Sequence, residues 1–325
     1  MSDTGHASDY ADRIKQKLER ELGDPVIGAL RDASVIEIML NPDGGLWVER
    51  FGRPMARLGE MPPHQAEAAM ATLAAINRTT ITRISPILEC NLPDGSRFEG
   101  MIPPVVAGPS FCIRKRASRI FTLEDYVGDK AMTPRQRDLI RQAALDHRNI
   151  LVVGGTGSGK TTLVNAVIHL IADELPEERL LILEDTAEIQ CAAPNHVFKR
   201  TTDLIDLNRL LRSTMRYRPD RIIVGEVRGG ECLELLKAWN TGHPGGVATV
   251  HANDAKSGLI RLENLVAEVT EAPMHKTIAA AIDLIVVIAK VRARKARACG
   301  ADRRIQELLR VRDHDGLNYI VESEE

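Results

Sequence analysis

The spacing of hydrophobic residues in the first third of the chain changes between helical and strand periods. Apolar side chains recur on one face over residues 12–31 and again over 63–77, which predicts two helices. Between them, apolar runs at 35–40 and 46–50 flank a Pro-Asp-Gly-Gly turn, a pattern typical of a β-hairpin. A second turn at 93–96 precedes further extended segments. Together these elements indicate a small α+β domain.

In the rest of the chain, short apolar runs alternate with helical spacing. Thr133 and Pro134 supply an N-cap and a first-turn proline for one helix, and another helix is predicted over 161–175. Apolar strands are predicted at residues 149–153, 180–183 and 221–224. The apolar run at 282–289 has the length of a buried strand. This alternation indicates an α/β domain with a parallel sheet and helices on both faces.

The chain therefore divides into two predicted domains, as its 325 residues also suggest. A polar stretch of mixed charge separates the two patterns. We place an N-terminal α+β domain at residues 1–115, a linker at 116–132 and a larger α/β domain at 133–325.

Composition narrows the class of function. Aromatic residues make up 3% of the chain and the net charge is −2, so direct DNA binding is not expected. The five cysteines are scattered without a Cys-x-x-Cys pair, which favours a reducing compartment. Residues 1–11 lack an apolar leader, and no stretch of about 18 uncharged apolar residues occurs. We expect a cytoplasmic protein that attaches to a membrane only peripherally.

A phosphate-binding loop follows the first strand of the larger domain. The pattern Gly-x-x-x-x-Gly-Lys-Thr lies between an apolar strand and a helix, which is the context that this loop requires. Its backbone N–H groups and the helix N-terminus attract phosphate, the lysine neutralises it, and the hydroxyl of Thr161 is a ligand for Mg²⁺. The sequence thus predicts ATP and Mg²⁺ as cofactors. The predicted nucleotide-binding residues are Gly154, Gly155, Thr156, Gly157, Ser158, Gly159, Lys160, Thr161 and Thr162.

Acidic residues end the next two predicted strands, at the sheet edge where open α/β sheets bind ligands. Glu184, Asp185 and Glu188 follow one strand, and Glu226 follows the other. Such carboxylates hold the Mg²⁺ hydration shell or orient the attacking water. Gly225 occupies the place where many P-loop enzymes carry an aspartate, which leaves more of this work to Glu226.

Two histidines flank a glycine-rich predicted strand. His251 lies at the exit of that strand, where a neutral imidazole can bond the γ-phosphate, and His243 precedes it. Each histidine taken alone is more simply a structural residue. A metal site formed by this pair is not expected, because no third ligand of suitable spacing is near.

The four segments resemble, in order and spacing, the Walker A, Asp box, Walker B and His box of the type II/IV secretion ATPases. The Gly-Glu form of the third segment is normal in that family. Upstream, Glu-Ile-Met-Leu-Asn-Pro-Asp at 37–43, Leu-Trp-Val-Glu-Arg at 46–50 and Phe-Thr-Leu-Glu-Asp-Tyr at 121–126 resemble the conjugal-transfer branch. The resemblance extends over about residues 20–290.

The resemblance implies a RecA-like C-terminal domain behind a PAS-like N-terminal domain. It further implies a homohexamer at the cytoplasmic face of the inner membrane, with membrane components of a type IV secretion system as partners. Catalytic roles carry over to the acidic residues above and to both histidines. Arg97 and Arg114 match the arginines with which family members reach the γ-phosphate from the N-terminal domain, although the sequence alone favours solvated surface charges at both positions.

Two basic clusters carry weaker signals. Arg209, Arg212 and Arg216 share one helical face, followed by Arg218 and Arg221, and the choice between a solvated face and an interface or phosphate-sensing role stays open. Residues 290–304 contain seven basic residues. A solvated loop is the simplest interpretation, with contact to acidic lipid or DNA as the alternative.

The leading hypothesis is a hexameric ATPase that powers conjugative type IV secretion, by pilus assembly or DNA–protein transfer. One alternative is a pilus or type II secretion motor, although the tetracysteine zinc insert common in type II members is absent. Another is a nucleotide-dependent switch or scaffold without turnover. A DNA translocase with the same core is disfavoured by the low aromatic content and the slight negative charge.

Overall fold

The structure, a computed structural model, describes residues 3–50, 53–116, 120–202, 204–291 and 303–324, with side chains from residue 13 onward. The chain forms two compact units, residues 1–118 and 119–325. Among the described residues, no helix is both long and apolar enough to cross a bilayer.

The first unit is an antiparallel sheet packed against two helices. Its elements are α1 (Asp3–Arg31), β1 (Val35–Leu40), β2 (Gly45–Arg50), β3 (Ala56–Glu60), α2 (Pro63–Ile76), β4 (Ile87–Asn91), β5 (Arg97–Met101) and β6 (Ser110–Arg114). The strands lie in the order β3-β2-β1-β6-β5-β4. The predicted hairpin is confirmed, because β1 and β2 pair antiparallel around a turn at Gly44, whose φ is 83°. The helix predicted from residue 12 begins earlier, and its ladder is broken at Gly23, two residues before Pro25.

The second unit is a layered α/β structure. Its first elements are α3 (Leu123–Gly128), α4 (Pro134–Leu145), β7 (Ile150–Val153), α5 (Lys160–Glu174), β8 (Leu180–Glu184), β9 (His196–Arg200), α6 (Leu207–Thr214) and β10 (Arg221–Val224). It continues with α7 (Glu231–Asn240), β11 (Val247–Val250), α8 (Ala255–Ala267), α9 (His275–Ala281), β12 (Leu284–Lys290), β13 (Arg303–His314) and β14 (Tyr319–Ser323).

Its eight-stranded sheet has the order β14-β13-β12-β7-β11-β10-β8-β9. The strands from β12 to β9 pair in parallel, as predicted, whereas β13 and β14 add an antiparallel edge. Helices α3, α4 and α5 cover one face and α6, α7, α8 and α9 cover the other. Every side chain of β7, β8, β10 and β11 is buried, which explains why their sequences are mainly apolar.

Part of the predicted linker is folded. Helix α3 lies within residues 116–132, and its Leu123 and Tyr126 are buried in the core of the second unit. Thr122 caps this helix reciprocally with Asp125, so the polar sequence that suggested a linker is a capping box.

Arg221 is not part of a solvated basic face. It is the first residue of β10 and is completely buried. Its guanidinium forms a two-point ion pair with Glu178 and also donates to the carbonyls of Ala144 and Gly245. The other basic segment, at 290–304, is only partly described, since residues 292–302 lie outside the described ranges.

Candidate nucleotide site

The P-loop connects the carboxyl end of β7 to the amino end of α5. Gly157 and Gly159 have positive φ values of 66° and 98°, which residues with a Cβ rarely adopt. Gly159 is the N-cap of α5. The apolar side of α5, including Leu163 and Val164, is buried against the sheet. The first backbone N–H groups of this helix lack partners within the helix, so its anchored amino end is suited to bind an anion.

Lys160 is turned inward onto the loop. Its ammonium donates to the carbonyl oxygens of Gly154 at 2.9 Å and Gly155 at 3.1 Å, and it lies 3.2 Å from Nε2 of His251. Only 7% of the residue is exposed. A buried ammonium that bonds flexible loop carbonyls can exchange these bonds for phosphate oxygens of comparable strength.

Thr161 and Glu188 present oxygen atoms beside this lysine. The Thr161 hydroxyl donates to Oε2 of Glu188 at 3.2 Å. Asn165 holds the same segment, because its amide donates to the carbonyl of Glu188 and accepts from the N–H of Gln190. Hydroxyl and carboxylate oxygens are ligands that Mg²⁺ prefers, so the residues present fit this ion. Within the described ranges, no group of three His, Cys, Asp or Glu side chains forms a metal cage. Mg²⁺ bound with phosphates and waters requires none.

Glu184 is buried, and its carboxylate forms hydrogen bonds within the protein. Its carboxylate accepts from the backbone N–H groups of Glu188 at 3.1 Å and Ile189 at 2.9 Å, and from Arg200 at 3.2 Å. Burial raises the pKa of Glu184, against the lowering effect of these three donors. The side chain is therefore placed to shape the segment that carries Glu188.

Asp185 lies at the outer side of the same segment and is exposed. It accepts from the hydroxyl of Thr201 at 3.0 Å and forms an ion pair with Arg228 at 3.8 Å. Of the three Asp-box acids, Glu188 alone has a described contact with a P-loop side chain.

Glu226 projects from the loop after β10. Arg228 donates to both of its oxygens, at 2.8 Å and 3.1 Å, and His251 Nε2 lies 3.3 Å from Oε1. Burial acts to raise the pKa of Glu226, but Arg228, His251 and Lys160 outweigh it and lower the pKa below its usual value. Glu226 is thus held as a carboxylate.

The glycine before Glu226 has a packing reason. A Cβ at Gly225 would lie 3.2 Å from the Cβ of Glu184, closer than side chains normally pack. Its carbonyl accepts from the Thr249 hydroxyl of β11 at 2.8 Å. A side chain here, such as the aspartate that other P-loop enzymes carry, would therefore require Glu184 to shift by a few tenths of an ångström.

His251 immediately follows β11 and lies between Lys160 and Glu226. Burial and the charge of Lys160 lower its pKa, and Glu226 opposes them only partly. The imidazole is therefore neutral at pH 7. In the tautomer protonated at Nε2, the neutral ring donates from Nε2 to Glu226 and accepts from Lys160 at Nδ1, which lies 3.4 Å from the ammonium.

His243 is not part of this cluster. It precedes β11, whereas His251 follows it, so the two histidines lie at opposite edges of the sheet, about 10 Å of strand apart. Its Nδ1 is buried without a hydrogen-bond partner. The family resemblance assigned both histidines to the site, and of the two the structure brings His251 to the end of the sheet that carries the P-loop.

Arg97 and Arg114 belong to the first unit. They are directly opposite each other on β5 and β6, so their side chains share one face of the antiparallel sheet. Arg114 is also opposite Glu37 on β1. The sheet thus brings the two arginines together.

Sequence reasoning did not single out Arg228 or Arg200, which bind the two glutamates. Arg228 is separated from Glu226 by one residue in a loop, where no periodic pattern exists to reveal the pair. Lys290 and Arg303 were assigned to a basic loop, yet Arg303 Nε donates to the P-loop carbonyl of Gly157 at 3.3 Å.

Comparison with known proteins identifies the family. The type II/IV secretion system protein family matches residues 19–317. The chain is 52% identical to the probable conjugal transfer protein TrbB of Sinorhizobium fredii, covering 96% of this chain and 94% of that protein. It is 50% identical to conjugal transfer protein TrbB of Rhizobium radiobacter, covering 95% and 94%. The resemblance to the conjugal-transfer branch is therefore confirmed.

A solved structure supports the fold. The Legionella pneumophila ATPase DotB has a TM-score of 0.61 at 18% identity, over 82% of this chain and 75% of that chain. This likeness confirms the predicted two-domain fold, while the sequence matches carry the family assignment. The chain belongs to the type II/IV secretion system protein family, as one of its ATPases.

Proposed function

We propose that this chain hydrolyses ATP as a homohexamer and thereby powers conjugative type IV secretion. The observation that carries the proposal is the meeting of Lys160, Glu226 and His251, with neighbouring pairs 3.2 Å and 3.3 Å apart, beside a P-loop. A phosphate-binding cation and a carboxylate that positions the nucleophile are recurring parts of phosphoryl-transfer sites, and the neutral imidazole adds a hydrogen-bonding group at the same sheet edge. The names of the two close relatives point to conjugal transfer.

The residues at the loop bind and orient the nucleotide. Lys160 exchanges its loop carbonyls for phosphate oxygens, and the amino end of α5 adds its positive dipole. Thr161 and Glu188 hold Mg²⁺, directly or through its water shell. When bound, Mg²⁺ neutralises charge on the phosphates.

Glu226 orients the attacking water and receives its proton. Its lowered pKa keeps it ionised at neutral pH, and Arg228 fixes its position. His251 bonds the γ-phosphate from the other side. Glu184 acts as a positioning residue through the N–H groups of Glu188 and Ile189, and Asp185 anchors Arg228.

Secretion partners are proposed from the family rather than from a contact surface. We infer a cytoplasmic location, peripheral to the inner membrane, with membrane components of a conjugation system as binding partners. Direct DNA binding is not proposed, since the net charge is −2 and aromatic residues are few.

Phosphate release by the purified protein tests the enzymatic proposal. Lys160→Ala removes the phosphate cation and Glu226→Gln removes the carboxylate with little change of shape. We expect each to lower kcat by about 10²–10⁴-fold. Glu271→Gln, at an exposed surface carboxylate, is the matched control and should behave as wild type.

Equal and slow release by wild type and both variants would refute catalysis and favour the switch or scaffold. Light scattering tests the assembly, with a mass of six chains as the expected result. In donor cells that carry only the Lys160→Ala form, plasmid transfer should be lost. Normal transfer together with altered pilus retraction would indicate a pilus motor instead.

A further inference from the structure

Two basic side chains lie on the outer side of the P-loop. Lys290 ends β12 and Arg303 begins β13, and they are paired directly in the antiparallel ladder. Arg303 Nε donates to the carbonyl of Gly157 at 3.3 Å. Lys290 Nζ lies 3.0 Å from the position that a Cβ would take at Gly157. Both cations therefore adjoin the loop from a strand pair outside the four sequence motifs.

The strand register explains why these side chains face the loop. Ile288 and Ile305 are paired two residues nearer the core and are buried with α5. Because side chains alternate along a strand, Lys290 is on the same face as Ile288, and its partner Arg303 shares that face. Arg304, one residue further, is on the opposite face.

The glycines of the loop leave room for these cations. A Cβ at Gly159 would lie 2.9 Å from Cδ of Arg303, and one at Gly157 would meet Lys290. Both positions also have positive φ. The glycine-rich sequence thus permits the backbone turn and the close approach of two basic side chains.

The sheet order separates these cations from the reacting end of the site. Strand β7, which leads into the P-loop, has β12 and then β13 on one side and β11 and then β10 on the other. Glu226 and His251 follow β10 and β11, whereas Lys290 and Arg303 come from β12 and β13. The P-loop is therefore bordered by the catalytic carboxylate on one side and by two cations on the other.

Charge then indicates the ligand. Lys160, Lys290 and Arg303 surround the amino end of α5, which is itself the positive end of a helix dipole. A polyanion bound at this helix end is attracted by all three charges and by the helix dipole. Arginine and lysine are the usual ligands for phosphate oxygens.

We propose that Lys290 and Arg303 bind the α- and β-phosphates of the nucleotide, the part that ATP and ADP share. This inference rests on the proposed nucleotide site and extends it to the β12–β13 pair. The γ-phosphate is left to His251 on the other side, next to the water that Glu226 orients. The two cations consequently set affinity for both substrate and product.

Equilibrium binding of mant-ATP and mant-ADP to the full chain tests this proposal. Lys290→Ala and Arg303→Ala should each raise the Kd of both nucleotides about tenfold, the usual effect of losing one charge-assisted hydrogen bond. The affinity for inorganic pyrophosphate, measured by its displacement of mant-ADP, should fall to the same extent. The KM for ATP should rise. Arg304→Ala, on the opposite face of the same strand, is the matched control and should bind as wild type.

Folding is checked by the melting temperatures of the ligand-free variants. If Arg303→Ala unfolds the loop, Lys290→Ala, at an exposed position, and Arg303→Lys supply the test instead. Arg303→Lys preserves the charge and should keep most of the nucleotide affinity. Unchanged nucleotide and pyrophosphate affinities in the Lys290→Ala/Arg303→Ala double variant would overturn the proposal, as would a loss confined to mant-ATP. Wild-type protein that binds neither nucleotide would refute the proposed function itself.

Discussion

Glu226 illustrates how neighbouring charges prepare a single carboxylate. Burial alone raises the pKa of such a group, yet the pKa of Glu226 is lowered. The main opposing influence is Arg228, which donates to both carboxylate oxygens. Asp185 lies 3.8 Å from the same guanidinium and contributes to its anchoring. Arg228 therefore governs the charge state of the proposed water-binding residue without needing to contact ATP.

Removal of Arg228 should change the pH dependence of hydrolysis. In Arg228→Ala, Glu226 loses the strongest influence that opposes burial, so its pKa rises and the carboxylate is protonated at a higher pH. The acid limb of the kcat/KM profile should consequently move to higher pH. Arg212→Ala, at an exposed arginine paired with Glu234, is the control. An acid limb that stays in place in Arg228→Ala would contradict this account.

Sequence reasoning at this scale succeeded where a motif fixes the chemistry. Lys160, Thr161 and Glu226 lie at the carboxyl ends of the strands, as predicted. Each comes shortly after an apolar strand of the parallel sheet, so strand order along the chain determines this placement. It failed for Arg221, which resembles any surface arginine in sequence. Only the fold shows that Glu178, 43 residues earlier in the chain, supplies its counter-charge.

At the scale of elements, Arg221 joins four segments at the amino edge of the sheet. Its side chain bonds Glu178 before β8, the carbonyl of Ala144 near the end of α4, and the carbonyl of Gly245 before β11. His147 also contacts Glu178, at 2.7 Å. The network replaces the hydrogen bonds with water that a buried guanidinium loses. Its net contribution to stability is therefore small, but removal of one partner is strongly destabilising.

Breaking this network should destabilise the second unit. In Glu178→Gln the buried Arg221 keeps its charge but loses its counter-ion, which should lower the free energy of unfolding by about 3 kcal/mol. Urea denaturation followed by circular dichroism measures the change. Glu177→Gln, at the exposed neighbouring position, should leave stability within about 0.5 kcal/mol of wild type. Equal stabilities of the two variants would show that the ion pair is dispensable.

The elements themselves were predictable to different degrees. The mainly apolar strands β7, β8 and β10 agree with the predicted limits to within one residue at each end. Helix α3 was missed because its capping box has the polar composition of a linker. The antiparallel β13 and β14 were also missed, since β13 mixes arginines with its apolar residues and β14 is only five residues long.

For the whole molecule, the open question is how the first unit contributes to turnover. Its sheet presents Arg97 and Arg114 as direct neighbours across β5 and β6. Adjacent cations on one sheet face are mutually repulsive unless acids or a ligand offset them. Glu37, opposite Arg114, is one such acid. The pairing places both arginines on one sheet face, and the proposal that they act on the γ-phosphate comes from the family resemblance.

Substitution of these arginines should impair hydrolysis more than binding. Arginines that stabilise the transferring phosphoryl group contribute about 10³–10⁵-fold to rate. Arg97→Ala and Arg114→Ala should therefore lower kcat strongly while mant-ADP binding is retained. Arg83→Ala, at an exposed arginine of the same unit, is the control. Wild-type kcat in the Arg97→Ala/Arg114→Ala double variant would exclude the first unit from the chemistry.

The position of β11 has a mechanical consequence. This strand is buried throughout and bonded on both sides, to β7 and β10. It connects His251 at the nucleotide edge to His243 at the far edge. A strand clamped in this way cannot slide past its neighbours without breaking both ladders. A displacement of His251 that is passed along β11 would therefore carry the neighbouring strands β7 and β10 with it.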